Sequence, residues 1–191
     1  MLVLAYLEIL SEFPLVRFIF AKLDADFVMA RKEVGYVEGT RRPILELGTL
    51  EDDLVRRDFT VNAMAEDEDG NVIDLFYGQA DLKHKILRTP LPAIQTFMDD
   101  PLRILRALRF VITKDFAIDL DIWEAMKQPK ILEKLEQTVS SERIREEVLK
   151  MMAADTPRTI RLLIDIDNEV PGFLEVVFKE GLWLKPTFEK R

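Results

Sequence analysis

The sequence predicts an α+β protein with its strands in the first part of the chain and helices in the rest, and three observations carry that reading. Short apolar runs bounded by turn residues fall within residues 15–30 and 72–75, Asp69-Gly70-Asn71 marks a hairpin tip, and apolar residues recur at helical spacing from Leu102 onward. With 191 residues, 48% of them hydrophobic, and only 7 Gly and 9 Pro, the chain can bury a core of one domain or two small ones. The expected division is a sheet-bearing domain over residues 1–88 and an all-helical domain over 89–191.

Residues 1–12 read as an amphipathic helix, with Leu4, Leu7 and Leu10 opposite Glu8 and Glu12, ended by Pro14. This opening has no basic leader and is too short to span a bilayer, which argues against a signal peptide or membrane anchor. Two strands follow, around Val16–Leu23 and Asp26–Ala30, forming a hairpin-like pair. Residues 34–50, punctuated by Gly35, Gly39, Pro43 and Gly48, read as a mobile polar loop leading to an extended GTRRPILELGT segment, with Arg41 and Arg42 solvated. Leu50 to Ala65 reads as a helix, since Glu51, Asp52 and Asp53 supply the negative charge that a first turn favours. Glu66 to Asp74 is a hairpin, and Gly78, beside Asp74 and Asp81, is a candidate hinge. Asp99 and Asp100 before Pro101 predict the start of a helix carrying Leu102, Leu105, Leu108 and Val111. Residues 115–138 are helical with a break at Pro129, Ser140 or Ser141 caps the next helix, and TPRTIRLLIDI makes another.

The chemistry concentrates in the stretch DDLVRRDFTVNAMA, residues 52–65. Guanidinium forks grip phosphate oxygens and a carboxylate accepts from sugar hydroxyls, so Arg56, Arg57 and Asp58 suit a nucleoside triphosphate, with Asn62 able to fix the turn or reach the nucleotide. A salt-bridge cluster capping a helix explains the same residues. Asp99 or Asp100 and Arg103, one turn apart, offer an acceptor and a donor able to read a base edge, with Arg106 and Arg109 further along the same flank. Asp24 and Asp26 have the spacing of paired carboxylates that share a divalent cation, and also that of two turn aspartates. The lone His84, between Lys83 and Lys85, reads as an exposed residue. The absence of cysteine excludes disulfides and thiolate metal sites and suits a reducing, cytoplasmic compartment. The net charge of −8 argues against indiscriminate nucleic-acid binding, yet residues 82–110 hold six basic and two acidic side chains, a local balance of +4.

Four ordered strings carry a family resemblance: RRDFTVNA at 56–63, GNVIDLFYGQADLKHKILRT at 70–89, DDPLRILRALRF at 99–110 and SSERIREEVLKM at 140–151. Over residues 13–165 the chain resembles the class II tRNA nucleotidyltransferase and poly(A) polymerase family, the template-independent enzymes that extend RNA 3′ ends. The resemblance implies a partial nucleotidyltransferase head followed by a helical neck, with CTP and ATP as nucleotides, an RNA 3′ end (a tRNA in many members) as acceptor, and Mg²⁺ as cofactor. It assigns base reading to Asp99, Asp100 and Arg103, triphosphate binding to Arg56 and Arg57, ribose preference to Asp58, and neck structure to Arg143. Asp99 stands where many bacterial members have Glu, and the family's metal-binding Asp-x-Asp strand precedes the stretch that this chain matches. Two readings stay open: an enzyme component whose metal-binding strand comes from a complementing polypeptide, or a non-catalytic nucleotide- or RNA-binding module or a fragment of a full-length enzyme.

Overall fold

The computed structural model describes residues 15–20, 23–28, 31–36 and 43–179, with side chains from Glu46 onward, and the chain divides into two compact units, Met1–Val55 and Arg56–Arg191. The helix expected over residues 1–12, and Arg41 and Arg42, lie outside the described residues.

The first unit contains two antiparallel hairpins. β1 (Leu15–Phe20) pairs with β2 (Leu23–Val28), with Arg17 opposite Asp26 and Ile19 opposite Asp24. β3 (Arg31–Tyr36) pairs with β4 (Pro43–Leu47), and the register shifts between Glu33 and Gly35. The expected loop over 34–50 is corrected at its start, where residues 34–36 belong to β3, whereas Pro43–Leu47 falls within the extended GTRRPILELGT segment as expected; the ladder tolerates Gly35 at an irregularity. Helix α1 (Leu50–Leu54) follows, with a capping box in which the Thr49 hydroxyl accepts from the Asp52 N–H at 3.1 Å and the Asp52 carboxylate accepts from the Thr49 N–H at 2.8 Å.

The helix expected from Leu50 to Ala65, with a possible turn between Leu54 and Met64, is corrected in extent, because α1 ends at Leu54. The Asp58 carboxylate takes the N–H of Phe59 at 2.9 Å, and Phe59 is extended, with φ −134° and ψ 152°. A side chain that captures a neighbouring N–H competes with the helical ladder, and here it wins. A 3₁₀ turn (Thr60–Asn62) then leads into the expected hairpin, β5 (Met64–Glu66) with β6 (Val72–Asp74), whose tip holds Gly70 at φ +82°.

Helix α2 (Gly78–His84) begins where the Asp74 carboxylate accepts from the N–H groups of Gly78 at 2.7 Å and Gln79 at 2.9 Å. Gly78 is not at a positive φ; a Cβ there would meet the Thr60 carbonyl oxygen at 2.3 Å, so close approach explains the glycine and gives the hinge no support. His84 is exposed, as expected. The 3₁₀ turn is also tied down by Thr60 N–H to the Arg88 carbonyl at 2.9 Å and by the Thr60 hydroxyl to buried Asp81 at 2.7 Å, itself paired with Arg88 at 3.0 Å. β7 (Ile86–Leu87) forms a short parallel ladder with β8 (Ala117–Ile118).

The remaining elements are helical: α3 (Ala93–Asp99), α4 (Arg103–Lys114), α5 (Leu120–Met126), α6 (Pro129–Thr138), α7 (Ser141–Ala154), α8 (Thr156–Glu169) and α9 (Phe173–Val177). Helix α3 was not anticipated, and it corrects the role of Asp99, which ends α3 instead of starting the next helix. Asp100 does not cap the next helix either: its Oδ1 accepts from the N–H of Leu102, two residues on, at 3.1 Å, and Leu102 holds the N-cap position of α4 without a side-chain cap. Helix α4 buries Ile104, Leu105, Ala107, Leu108 and Ile112 and packs mainly on α7, which contributes Ile144, Val148 and Met151. Pro129 sits in the first turn of α6, a position that needs no N–H, and Ser140 takes the N-cap position of α7 without a side-chain hydrogen bond. Phe59, Phe110 and Phe116 pack edge to face, with centroids 5.5 and 5.6 Å apart, joining the 3₁₀ turn to this helical core.

Two predictions follow from the turn at Thr60 and the start of α2. Gly78→Ala forces the Thr60 carbonyl to move and should destabilise the chain by about 1–3 kcal/mol in denaturant unfolding; full stability would show that the backbone there yields freely. Burial works against the Asp74 charge, but hydrogen bonds from Gln79, Gly78 and Phe76 outweigh it and hold the carboxyl below its ordinary range. A depressed folded-state pKa gives stability that is present above about pH 4 and lost as pH falls through the folded value. Asp74→Asn should therefore cost about 1 kcal/mol at pH 7, with the gap to the parent closing below pH 4, measured by unfolding across that range.

Candidate nucleotide-binding cleft

A cleft of about 560 Å³ in the second unit is lined by Arg56, Arg57, Asp58, Asn62, Asp100, Leu102, Arg103, Arg106 and Arg143. The sequence brought forward seven of these nine, and the fold gathers them from three places: the broken segment after α1, the first turns of α4, and the first turn of α7. Five arginines against two aspartates make the lining strongly cationic inside an acidic chain.

Each anchor has an identifiable cause. The Arg103 guanidinium donates to the backbone carbonyl of Arg56 at 2.5 Å and more weakly to that of Thr96 at 3.4 Å, so one side chain joins the segment after α1 to α3 and α4. Burial pulls the Arg103 pKa below its ordinary value, while the Asp58 and Asp100 carboxylates push it back. Arg106 pairs with Asp58, its Nε at 2.7 Å and its Nη2 at 2.5 Å from Oδ2. Asn62 donates its amide to Asp58 Oδ1 at 2.9 Å. Asp100 accepts from the Arg143 guanidinium at 2.8 Å and from Leu102 N–H, one contact on each oxygen. A carboxylate has about four acceptor positions, so Asp100 keeps capacity for a further donor beside the Arg103 cation.

One sequence-derived candidate of the second unit stands outside the cleft. Asp99 is exposed at the end of α3 and is not part of the lining. Asp24 and Asp26 lie on β2, and their side chains are outside the described residues. Among the described residues no group of three or more His, Cys, Asp or Glu side chains is placed to hold a metal ion, so the described donor set does not fit Mg²⁺.

The sequence reading missed Arg143 as a cleft residue and assigned it to the neck alone. A signal was present: Arg143 and Glu147 are four apart on α7, and they pair with Asp100 and Arg109, which lie on the α4 side of the contact. Glu147 is buried and accepts from Arg109 Nε at 2.5 Å, with Lys150 at 3.2 Å.

Two family models match the chain, "Poly A polymerase head domain" over residues 3–88 and "Probable RNA and SrmB- binding site of polymerase A" over residues 115–180. The mitochondrial CCA tRNA nucleotidyltransferase of Candida glabrata is 40% identical over 137 residues, covering 71% of this chain and 26% of the relative. The CCA-adding enzyme of Lactobacillus johnsonii is 38% identical over 161 residues, covering 82% of this chain and 39% of the relative. The crystal structure of the Bacillus stearothermophilus CCA-adding enzyme in complex with CTP superposes with a TM-score of 0.70 at 30% identity, covering 85% of this chain and 39% of that one. This chain thus spans between a quarter and two fifths of the length of these relatives. Among the described residues no helix is long and apolar enough to cross a membrane. The match of both family models, the identity to named enzymes and the shared α+β fold establish that the chain belongs to the poly(A) polymerase and tRNA nucleotidyltransferase family.

Proposed function

We propose that the cleft binds the base and phosphates of CTP or ATP, and that this chain serves template-independent transfer of CMP or AMP to an RNA 3′ end, a tRNA being the acceptor that the relatives' names suggest. The observation that carries the reading is the convergence of five arginines on one cleft that also holds Asp100 with unused acceptor positions. Arginine forks match the geometry of phosphate oxygens, and the cationic lining raises the local concentration of a polyanion. Arg56 and Arg57 hold the triphosphate. Asp100 and Arg103, an acceptor and a donor fixed on the first turns around α4, read the base edge. Asn62 and Arg106, both bound to Asp58, complete the wall.

In the reaction class of the family, the RNA 3′-hydroxyl attacks the α-phosphate and pyrophosphate leaves. The contribution of the described residues is binding and orientation, which brings the reacting groups together without a template. Mg²⁺ enters this reading through the family alone. No step is routed through the ion. Whether catalysis is completed by a second polypeptide is tested separately, by RNA-extension assays with and without such a partner.

Calorimetry with ATP and with CTP should give dissociation constants of tens to hundreds of micromolar, about 5 to 6 kcal/mol. Arg57→Ala and Arg103→Ala should each abolish binding within the measurable range while the chain stays folded by circular dichroism. Failure of the unaltered chain to bind either nucleotide would overturn the reading and leave the cleft as a structural ion-pair network.

A further inference from the structure

Of the six basic residues between positions 82 and 110, the cleft takes Arg103 and Arg106, while Arg88 pairs with Asp81 and Asp119, and Arg109 with Glu147. Lys83 and Lys85 remain, and the fold sets them beside further cations at the far end of α4. The Lys85 Nζ donates to the Lys114 carbonyl at 3.1 Å and lies 5.2 Å from the centroid of the Phe116 ring, and the Lys85 carbonyl accepts from the Ala117 N–H at 2.7 Å. Arg158, in the first turn of α8, pairs with Asp115 at 2.6 Å. The end of α2, the end of α4 and the start of α8 thus converge, and they carry Lys83, Lys85, Lys114 and Arg158, all exposed. The acids on the same turns are Asp115, held by Arg158, and Asp155, whose carboxylate caps α8 by accepting from the Arg158 N–H at 2.9 Å. The side chains of Lys83 and Lys114 have no hydrogen-bond or ion-pair partner among the described residues. Like charges gathered without acids between them repel, and a polyanion relieves that repulsion.

We infer that this surface holds the phosphate backbone of the RNA whose 3′ end reaches the cleft, a choice of ligand that rests on the nucleotide-site reading. Helix α4 runs from Arg103 to Lys114, so at 1.5 Å per residue its cleft end and its lysine end lie about 16 Å apart on one rigid element. A short stretch of single-stranded backbone covers such a distance, with the terminal nucleotide at the Arg103 end and the preceding phosphates at Lys83, Lys85 and Lys114. Ammonium groups on flexible stems meet phosphates as point charges and read no sequence. The surface therefore anchors the RNA, and choice of nucleotide stays with the cleft.

The test measures binding of the full chain to a labelled RNA hairpin with a short single-stranded 3′ overhang, by fluorescence anisotropy over a range of salt, beside calorimetry with ATP and CTP. Lys83→Gln combined with Lys114→Gln removes two charges whose side chains hold nothing in the fold. This double variant should bind the hairpin about tenfold more weakly near about 0.1 M salt, and its slope of log affinity against log salt should shrink by about two, one for each lysine lost. Its ATP affinity should stay within about twofold of the parent. Lys83→Arg combined with Lys114→Arg keeps both charges and should bind the hairpin as the parent does. Unchanged hairpin affinity and salt slope in the glutamine variant would overturn the proposal, as would an equal loss in the arginine variant. Sedimentation with phosphatidylserine vesicles tests another polyanionic surface: vesicle binding that the glutamine variant loses while its hairpin binding is unaffected would refute the RNA assignment. A parent chain that binds nucleotide but no hairpin refutes this inference alone, and one that binds neither refutes the site reading with it. Hairpin binding that depends on these lysines without nucleotide binding would overturn the cleft reading and leave the RNA surface standing.

Discussion

The cleft depends on helix α4 being held in one register against α7. Packing of Ile104, Leu105 and Leu108 near Ile144, Val148 and Met151 supplies the apolar attraction, which is strong but not directional. Direction comes from two ion pairs along the same contact, Asp100 with Arg143 at 2.8 Å and Arg109 with Glu147 at 2.5 Å. Glu147 is buried, so a slip of one turn would leave a charge without its partner at a cost of several kcal/mol. A register fixed in this way places Arg103 and Arg106 where the cleft needs them.

The same logic holds the segment after α1. It has almost no regular structure of its own, and its backbone is secured by partners from elsewhere: Arg103 on the Arg56 carbonyl, Arg88 and Asp81 on Thr60, Arg106 on Asp58. A cationic cleft built from adjacent arginines would repel itself, and two aspartates inside the lining offset that repulsion. The aspartates differ in what they can still do. Asp58 accepts from Phe59, Asn62 and Arg106, whereas Asp100 accepts from Leu102 and Arg143, so the two carboxylates tie the cleft to different elements.

The acidic net charge and the basic cleft are compatible because they occupy different parts of the chain. The net charge of −8 already includes the cationic lining, so the rest of the chain is more acidic still and discourages loose polyanion binding, while five arginines converging on one concave site favour a small, well-placed anion. Tyr77, 77% exposed at φ 61°, shows how local strain is tolerated beside the glycine that must approach Thr60.

Which elements were legible in the sequence follows from how local their causes are. The hairpin at Gly70, the capping acids of α1, Pro129 in the first turn of α6 and the apolar stripe of α4 each depend on residues within a few positions of one another, so spacing alone revealed them. The same holds for the cluster Arg56, Arg57, Asp58 and for the turn-apart pair Asp100 and Arg103. What only the tertiary structure decided depends on partners distant in sequence. The break in the expected helix after Leu54 needs Asp58 held by Arg106, 48 positions on, and the strand at Arg31–Tyr36 needs its ladder with Pro43–Leu47. Arg143 joined the cleft through Asp100, 43 positions away, and Asp99 left it because α3, begun with its Ala93 N–H on the Asp121 carboxylate, runs to its end there. Residue spacing along an element determines which side chains share a face; hydrogen bonds and ion pairs made across the fold determine which of the competing local conformations survives.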